Sequence, residues 1–113
     1  MNFRVKPYYR ARHKSGEMNK DEARYNEELK IKKQAGEILY YYFEKVKFRL
    51  AEKMFYTPDF LVVHPGHLEI IEVKGYLEGD ALVKWKMAAE LYPWLVWKII
   101  RWEKKQWKVL YER

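Results

Sequence analysis

Hydrophobic and polar positions along the chain follow two periods, one typical of helices and one typical of strands. Residues 18–35 carry apolar positions at helical spacing, among them Tyr25 and Leu29, and a glycine follows the stretch. Asn19, with Glu22 three residues later, has the pattern of a capping box at the start of a helix. The pattern therefore predicts an amphipathic helix over 18–35, with Glu22 on the side that faces a sheet.

The next two stretches have the period-two alternation of strands. Residues 38–50 predict a half-buried strand with a basic outer face, because apolar residues alternate with basic ones: Val46, Phe48 and Leu50 against Lys45, Lys47 and Arg49. The aromatic run at 40–43 favours packing within a sheet, with a platform for stacking bases as the alternative. After a turn at 52–53, residues 54–63 predict another strand, in which Pro58 marks an edge, a bulge or a bend.

The following stretches predict a hairpin, a helix and a second strand pair. Residues 60–63 and 68–73 are apolar runs on either side of a His-Pro-Gly-His turn, which is typical of a β-hairpin. After a loop at 76–79, a second helix is expected from a cap at Asp80 to about residue 91, before Pro93. Residues 95–102 and 106–111 predict the last strand pair, with a turn at 103–105. The order of elements predicts an α/β domain.

Candidate chemistry collects at one end of the predicted hairpin. Asp59 precedes its first strand, and Glu72 and Lys74 end the second on one face, because side chains alternate along a strand. Two carboxylates and an ammonium in this arrangement suit metal-assisted cleavage of a phosphodiester. The alternative is a solvated hairpin in which Glu72 and Lys74 form a weak pair. His64 and His67 are interpreted as polar turn residues, because two histidines without cysteine do not predict a zinc site.

Pro58-Asp59 followed by Glu72-Val73-Lys74 resembles the PD-(D/E)xK signature of the restriction-endonuclease-like nucleases. The flanking residues are similar to a family of small phage and prophage proteins related to phage endonuclease I, a junction-resolving enzyme. These flanking residues are Asn19, Lys20, Glu22, Tyr25, the run 56–60, Gly75, Lys84, the run 88–90, Tyr92 and Pro93. The resemblance covers residues 18–93 and implies a restriction-endonuclease-like fold, with a mixed central sheet flanked by helices.

The resemblance also implies a site for Mg²⁺, for which Mn²⁺ would substitute, with Asp59, Glu72 and the carbonyl group of Val73 as ligands. Hard oxygen ligands suit Mg²⁺, which usually takes only one or two protein carboxylates. Glu22 is expected either to reach this site as a further carboxylate, which would favour a second metal ion, or to serve only as a helix cap. Lys74 is expected to orient or deprotonate the attacking water, or to stabilise the developing charge.

The charge of the chain suits a polyanionic partner. The 113 residues include 23 Lys and Arg against 16 Asp and Glu, a formal net charge of +7, although a Lys/Glu-rich surface is the alternative interpretation. Residues 1–16 predict a basic arm that lies along a phosphate backbone, or an ordinary frayed terminus, and residues 17–113 predict a single nuclease domain. The expected DNA contacts are Arg4, Lys6, Arg10, Arg12, Lys14, Lys20 and Lys84.

Composition limits the other possibilities. The chain has no cysteine, which excludes disulfides and thiolate metal sites. The first residues lack the apolar core of a signal peptide, and no apolar run approaches the roughly 20 residues of a membrane span. We therefore expect a cytoplasmic protein (in the host cytoplasm if it is phage-encoded) with no membrane partner and no small-molecule cofactor.

These patterns and the resemblance together predict a Mg²⁺-dependent endonuclease that cleaves DNA, with branched DNA such as a Holliday junction as the expected substrate. The alternatives are a nuclease that nicks linear DNA or RNA without structural preference, and an inactive nucleic-acid-binding accessory protein of the same fold. Resolving a junction requires two symmetric cuts, which predicts a homodimer. The aromatic residues expected either at its interface or within the monomer's own sheet are Trp94, Trp97, Trp102 and Trp107.

Overall fold

The computed structural model describes residues 16–75 and 79–113. Residues 1–15 of the predicted basic arm (1–16) and residues 76–78 of the predicted loop (76–79) lie outside the described residues. The described residues form two helices and seven strands, and they confirm the predicted α/β class. The elements are α1 (Lys20–Gln34), β1 (Tyr40–Phe43), β2 (Phe48–Ala51), β3 (Met54–Tyr56), β4 (Phe60–Val63), β5 (Leu68–Val73), α2 (Gly79–Leu91), β6 (Val96–Glu103) and β7 (Gln106–Glu112).

Five of the strands form one mixed sheet in the order β1-β4-β5-β6-β7. The predicted hairpin is confirmed as β4 and β5, and the predicted final pair as β6 and β7; both pairs are antiparallel. β5 and β6 are parallel, and α2 lies between them in the chain, because parallel neighbours need a long crossover connection. β5 is the central strand, and its residues from Glu69 to Val73 are buried.

Each face of the sheet carries its own hydrophobic core, because alternate residues of β5 point to opposite faces. Ile71 packs with Tyr25 and Leu29 of α1 in one core. Ile70 packs in the other core, with Trp85 of α2 and with buried residues of β2, β3 and β6. α2 therefore covers the sheet together with β2 and β3, which pair only with each other and form a separate two-stranded β2–β3 ribbon. Neither helix of the described chain is long and apolar enough to cross a membrane.

The prediction of one continuous strand over 38–50 was wrong. β1 ends at Phe43, and Glu44 adopts a left-handed backbone conformation with φ 48°. The N–H group of Glu44 donates to the carbonyl oxygen of Asp59 at 2.8 Å, and the chain then leaves the main sheet to enter β2. The expected basic outer face is nevertheless present, because Lys45, Lys47 and Arg49 are all exposed.

The single strand predicted over 54–63 is also two strands, separated by the bend expected at Pro58. β3 ends at Tyr56, β4 begins at Phe60, and Pro58 between them is fully buried. Proline has no N–H group to donate to a sheet, so the ladder is interrupted where it stands. The predicted cap at Asp80 was wrong, since α2 begins at Gly79 and Asp80 lies in its first turn.

Candidate active site

The bend after β3 brings Asp59 to the end of β5. Asp59 lies directly before β4, and the hairpin pairs Phe60 with Ile71, so the next residues of β5 lie beside Asp59. The Asp59 side chain accepts a hydrogen bond at Oδ2 from the N–H group of Val73, at 2.8 Å. This bond fixes one carboxylate oxygen and holds Asp59 across the hairpin from Glu72, as the sequence predicts.

Glu72 and Lys74 lie side by side on one face, as expected from strand alternation. The Nζ atom of Lys74 is 3.3 Å from Oε2 of Glu72. The other oxygen of Glu72 accepts a hydrogen bond from the hydroxyl group of Tyr56, a buried residue at the end of β3. Sequence reasoning did not assign a role to Tyr56, although this residue stands two positions before Pro58-Asp59 in the same short motif.

The N-terminus of α1 brings a third carboxylate to the site. Asn19 and Glu22 form the predicted capping box: Oδ1 of Asn19 accepts from the Glu22 N–H at 2.8 Å, and Oε1 of Glu22 accepts from the Asn19 N–H at 2.9 Å. The Glu22 side chain is only 4% exposed and lies close enough to Asp59 to raise the pKa of the Asp59 carboxyl group. Glu22 therefore caps the helix and reaches the site at the same time, where the sequence left these as two alternatives.

Burial and electrostatic repulsion raise the pKa values of the Asp59 and Glu72 carboxyl groups. Burial raises the pKa of Asp59 well above its ordinary value, and the negative charges of Glu72 and Glu22 raise it further. Burial also raises the pKa of Glu72, against the opposing effects of Lys74 and Tyr56. When ionised, the three buried carboxyl groups outnumber the one neighbouring ammonium group, and a bound cation would neutralise the excess negative charge.

The same electrostatics keep Lys74 protonated. Burial alone would lower the pKa of Lys74, but the neighbouring carboxylates of Glu72 and Asp59 outweigh this effect and raise the pKa above its ordinary value. In this arrangement Lys74 is an ammonium cation at neutral pH. It can therefore donate hydrogen bonds and stabilise negative charge.

The donor set fits a divalent cation that prefers oxygen ligands. Asp59 and Glu72 are both buried and supply hard oxygen donors, and Mg²⁺ usually takes one or two such carboxylates. No group of three or more His, Asp or Glu side chains among residues 16–75 and 79–113 is preformed to hold a metal ion.

The remaining predicted site residues are Val73, two exposed lysines and five residues of the basic arm. Val73 contacts Asp59 through its N–H group, and its carbonyl group stays a predicted ligand. Lys20 is exposed at the first turn of α1, and Lys84 is exposed on α2, which packs against β2 and β3. The five predicted arm contacts lie outside the described residues: Arg4, Lys6, Arg10, Arg12 and Lys14.

The two histidines of the hairpin turn lie at the opposite end of β4 and β5. Their rings stack on each other with centroids 4.2 Å apart. Nε2 of His64 is 2.7 Å from Oε1 of Glu69, whose other oxygen is 2.8 Å from Nζ of Lys98. His64 thus contacts a buried carboxylate and His67 packs on His64 within the turn, in agreement with their interpretation as polar turn residues.

Comparison with known proteins identifies a family but no characterised relative. A family model described as "Protein of unknown function (DUF1064)" matches residues 8–107. No curated protein and no solved structure matches the chain. The matched range includes the whole cluster of Glu22, Asp59, Glu72 and Lys74.

Proposed function

The chain belongs to the DUF1064 family, and we propose that it is a Mg²⁺-dependent endonuclease that hydrolyses phosphodiester bonds in DNA. One observation carries the proposal: Asp59, Glu72 and Lys74 meet at the end of the β4–β5 hairpin, where Glu22 adds a third buried carboxyl group. Buried carboxyl groups that repel one another are costly to the fold, and such groups are concentrated at functional sites. A hairpin with merely solvated charges would leave these side chains exposed.

The residues of the proposed site have different roles. Bound Mg²⁺ would neutralise charge on the phosphodiester and lower the pKa of a bound water. Asp59 and Glu72 would hold the ion, with the carbonyl group of Val73 as a further ligand by resemblance. The bond from the Val73 N–H to Oδ2 of Asp59 and the bond from Tyr56 to Oε1 of Glu72 orient the two carboxylates, as supporting hydrogen bonds do at metal sites.

Lys74 is best suited to an electrostatic role. Its raised pKa keeps the side chain protonated, so it has no free electron pair with which to accept a proton from water. As a cation 3.3 Å from Glu72, it would instead stabilise the negative charge that develops on the phosphate in the transition state. This argument favours charge stabilisation over general-base catalysis for Lys74.

We propose branched DNA as the substrate and a homodimer as the assembly. The proposed location is the cytoplasm. The resemblance to phage endonuclease I supports the first proposal, and the net charge of +7 supports a polyanionic partner. A four-way junction requires paired cuts, and this requirement supports the homodimer. Mn²⁺ is expected to replace Mg²⁺, because both accept oxygen ligands in octahedral geometry.

A cleavage panel tests the proposal. Labelled four-way junctions, flaps, linear duplex, single-stranded DNA and RNA are incubated with the protein in Mg²⁺, in Mn²⁺ and in EDTA. We expect metal-dependent cleavage of DNA, fastest on the four-way junction. Equal rates on linear DNA or RNA would assign the protein to the nucleases without structural preference. Binding to the panel without cleavage of any member would contradict the proposal and leave the accessory-protein alternative.

A further inference from the structure

The β2–β3 ribbon has one face fixed to the protein and one face directed to solvent. Phe48, Leu50 and Tyr56 point inward and pack in the core beneath α2. The Phe48 ring lies 4.9 Å from that of Tyr92 and 5.0 Å from that of Trp97, centroid to centroid. The hydroxyl group of Tyr92 also donates to the backbone carbonyl of Arg49 at 2.7 Å. The ribbon is therefore anchored to the core along its length.

The outer face of the ribbon is basic. Residues 45–56, which comprise the ribbon and the three residues that lead into it, contain four basic residues, Lys45, Lys47, Arg49 and Lys53, and one acidic residue, Glu52. All four basic residues are exposed. Arg49 pairs across the ribbon with Phe55, which places both on one face, and Nζ of Lys47 lies 5.0 Å from the centroid of the Phe55 ring. The cations are thus concentrated on the side away from the core.

The ribbon is also joined directly to the proposed site. Its last residue, Tyr56, donates to Glu72, and Asp59 follows three residues later. A molecule that lies along the outer face of the ribbon would therefore be held close to the carboxylate cluster. The strands of a two-stranded ribbon are about 4.8 Å apart, narrow enough for the ribbon to enter the major groove of B-DNA, which is about 12 Å wide.

We propose that the outer face of the β2–β3 ribbon is a DNA-binding surface, on which Lys47 and Arg49 contact the phosphates of a duplex arm next to the cleavage site. The inference rests on the proposed function, because it takes DNA as the substrate. It adds a binding element that the resemblance does not supply. The A-form RNA duplex has a deep, narrow major groove that side chains do not enter, so the ribbon favours DNA over RNA.

The test compares two double variants that lose the same charge. Lys47→Gln/Arg49→Gln alters the ribbon, and Lys30→Gln/Lys33→Gln alters two exposed positions in the second half of α1. Fluorescence anisotropy with a labelled four-way DNA junction in EDTA gives the affinity at several salt concentrations. Unlabelled DNA and RNA duplexes serve as competitors. Thermal unfolding confirms that both variants fold, and single-turnover cleavage in Mg²⁺ at saturating DNA reports the chemical step.

The ribbon variant is expected to bind DNA about tenfold or more weakly than the wild type. Loss of two phosphate contacts should also reduce the slope of log K against log salt by about 1.8. The α1 variant should keep the affinity, the slope and the wild-type rate of cleavage at saturating DNA. Equal losses in the two variants, unchanged binding by the ribbon variant, or stronger competition by RNA than by DNA would overturn the proposal.

Because binding is measured without metal, the ribbon and the proposed function fail in different ways. A wild-type protein that binds DNA through the ribbon but never cleaves it would contradict the nuclease and support the ribbon. A wild-type protein that cleaves DNA while the ribbon variant binds normally would support the nuclease and contradict the ribbon.

Discussion

The hydroxyl group of Tyr56 holds the carboxylate of Glu72 in place. Burial raises the pKa of Tyr56 well above its ordinary value, and the Glu72 charge raises it further, so Tyr56 stays a hydrogen-bond donor at neutral pH. Tyr56→Phe removes the hydroxyl donor, so that Oε1 of Glu72 loses this hydrogen bond. We expect a loss of about 1–3 kcal/mol in the free energy of unfolding and slower cleavage, measured by urea unfolding and single-turnover kinetics.

Tyr92→Phe is the matched control for this variant, because its hydroxyl group donates to a backbone carbonyl outside the carboxylate cluster. The control should lose stability without slowing cleavage of saturating DNA. If Tyr56→Phe cleaves at the wild-type rate, Tyr56 has only a structural role and does not position Glu72 for catalysis.

Glu69 gives a prediction about the dependence of stability on pH. Burial would raise its pKa, but the hydrogen bonds with Lys98 and His64, together with their charges, outweigh burial and lower the pKa below the ordinary value of 4.5. Tyr25 of α1 also faces this carboxylate: burial first, then Glu69, raises the Tyr25 pKa. A depressed carboxyl pKa means that ionised Glu69 stabilises the fold above about pH 4.5, and that this contribution is lost as pH falls through the lower folded pKa.

Glu69→Gln removes that contribution. We expect the variant to be less stable than the wild type by about 1–3 kcal/mol at pH 6, with the difference shrinking as the pH falls below 4.5 towards pH 3. Thermal unfolding of both proteins between pH 6 and pH 3 measures this difference in stability. A difference that stays constant from pH 6 to pH 3 would show that Glu69 does not act through its charge.

At the residue scale, the sequence predicted the groups that belong to short local motifs and missed those that depend on distant pairing. Asp59, Glu72 and Lys74 lie on one hairpin, whose turn and alternation fix their positions. The role of Tyr56 depends on the β2–β3 ribbon folding back over the sheet. The ion pair of Glu69 depends on the parallel register of β5 and β6, which local periodicity does not encode.

At the scale of elements, the N-terminus of α1 combines a helix cap with the proposed site. Glu22→Gln keeps an oxygen that accepts from the Asn19 N–H, so the capping box survives. It also removes a negative charge that repels Asp59. We therefore expect an unchanged or slightly higher melting temperature, with cleavage at least tenfold slower than in the wild type.

Glu27→Gln, at an exposed position on the same helix, controls for loss of charge and should affect neither property. Thermal unfolding and single-turnover kinetics on both variants distinguish a site residue from a cap. A Glu22→Gln protein with full cleavage activity would show that the carboxylate serves only the helix.

The sequence contained a signal for the break between β1 and β2. Inward-facing positions are odd-numbered in β1, at Tyr41 and Phe43, and even-numbered in β2, at Phe48 and Leu50. A straight strand would direct these two sets to opposite faces. They do pack in different cores, on opposite faces of the main sheet. Overall alternation over 38–50 concealed the change of phase, and the continuous strand predicted there resulted from reading the stretch as one unit.

At the scale of the whole molecule, the sequence predicted the layers of the fold better than the connections between strands. Two amphipathic helices and alternating strands are sufficient to predict a sheet with helices packed on it. The position of β5 between β4 and β6, and the separation of the ribbon from the main sheet, depend on long-range pairing.

The proposed homodimer has a specific candidate contact in Trp94. Trp97 is fully buried, and Trp102 and Trp107 are half-buried and pack against each other. These three side chains therefore pack within the monomer. Trp94 is 72% exposed. We expect sedimentation at micromolar concentration to give the mass of two chains for the wild type. A strict monomer, both free and bound to a four-way junction, would contradict paired cleavage and favour a nicking nuclease.

The substitution Glu72→Gln tests the central claim, that the carboxylates at the end of the β4–β5 hairpin hold a catalytic metal ion. Loss of a metal ligand should slow Mg²⁺-dependent cleavage of a four-way junction by about a thousandfold or more, because bound metal contributes several kcal/mol of transition-state stabilisation. DNA affinity in EDTA should stay within about threefold of wild type, since it derives mainly from Lys and Arg contacts with phosphates. Glu69 is a buried carboxylate on the same strand, so Glu69→Gln serves as the control. This variant should cleave at the wild-type rate at temperatures where it is folded. Glu72→Gln cleaving at the wild-type rate would contradict the assignment of the site.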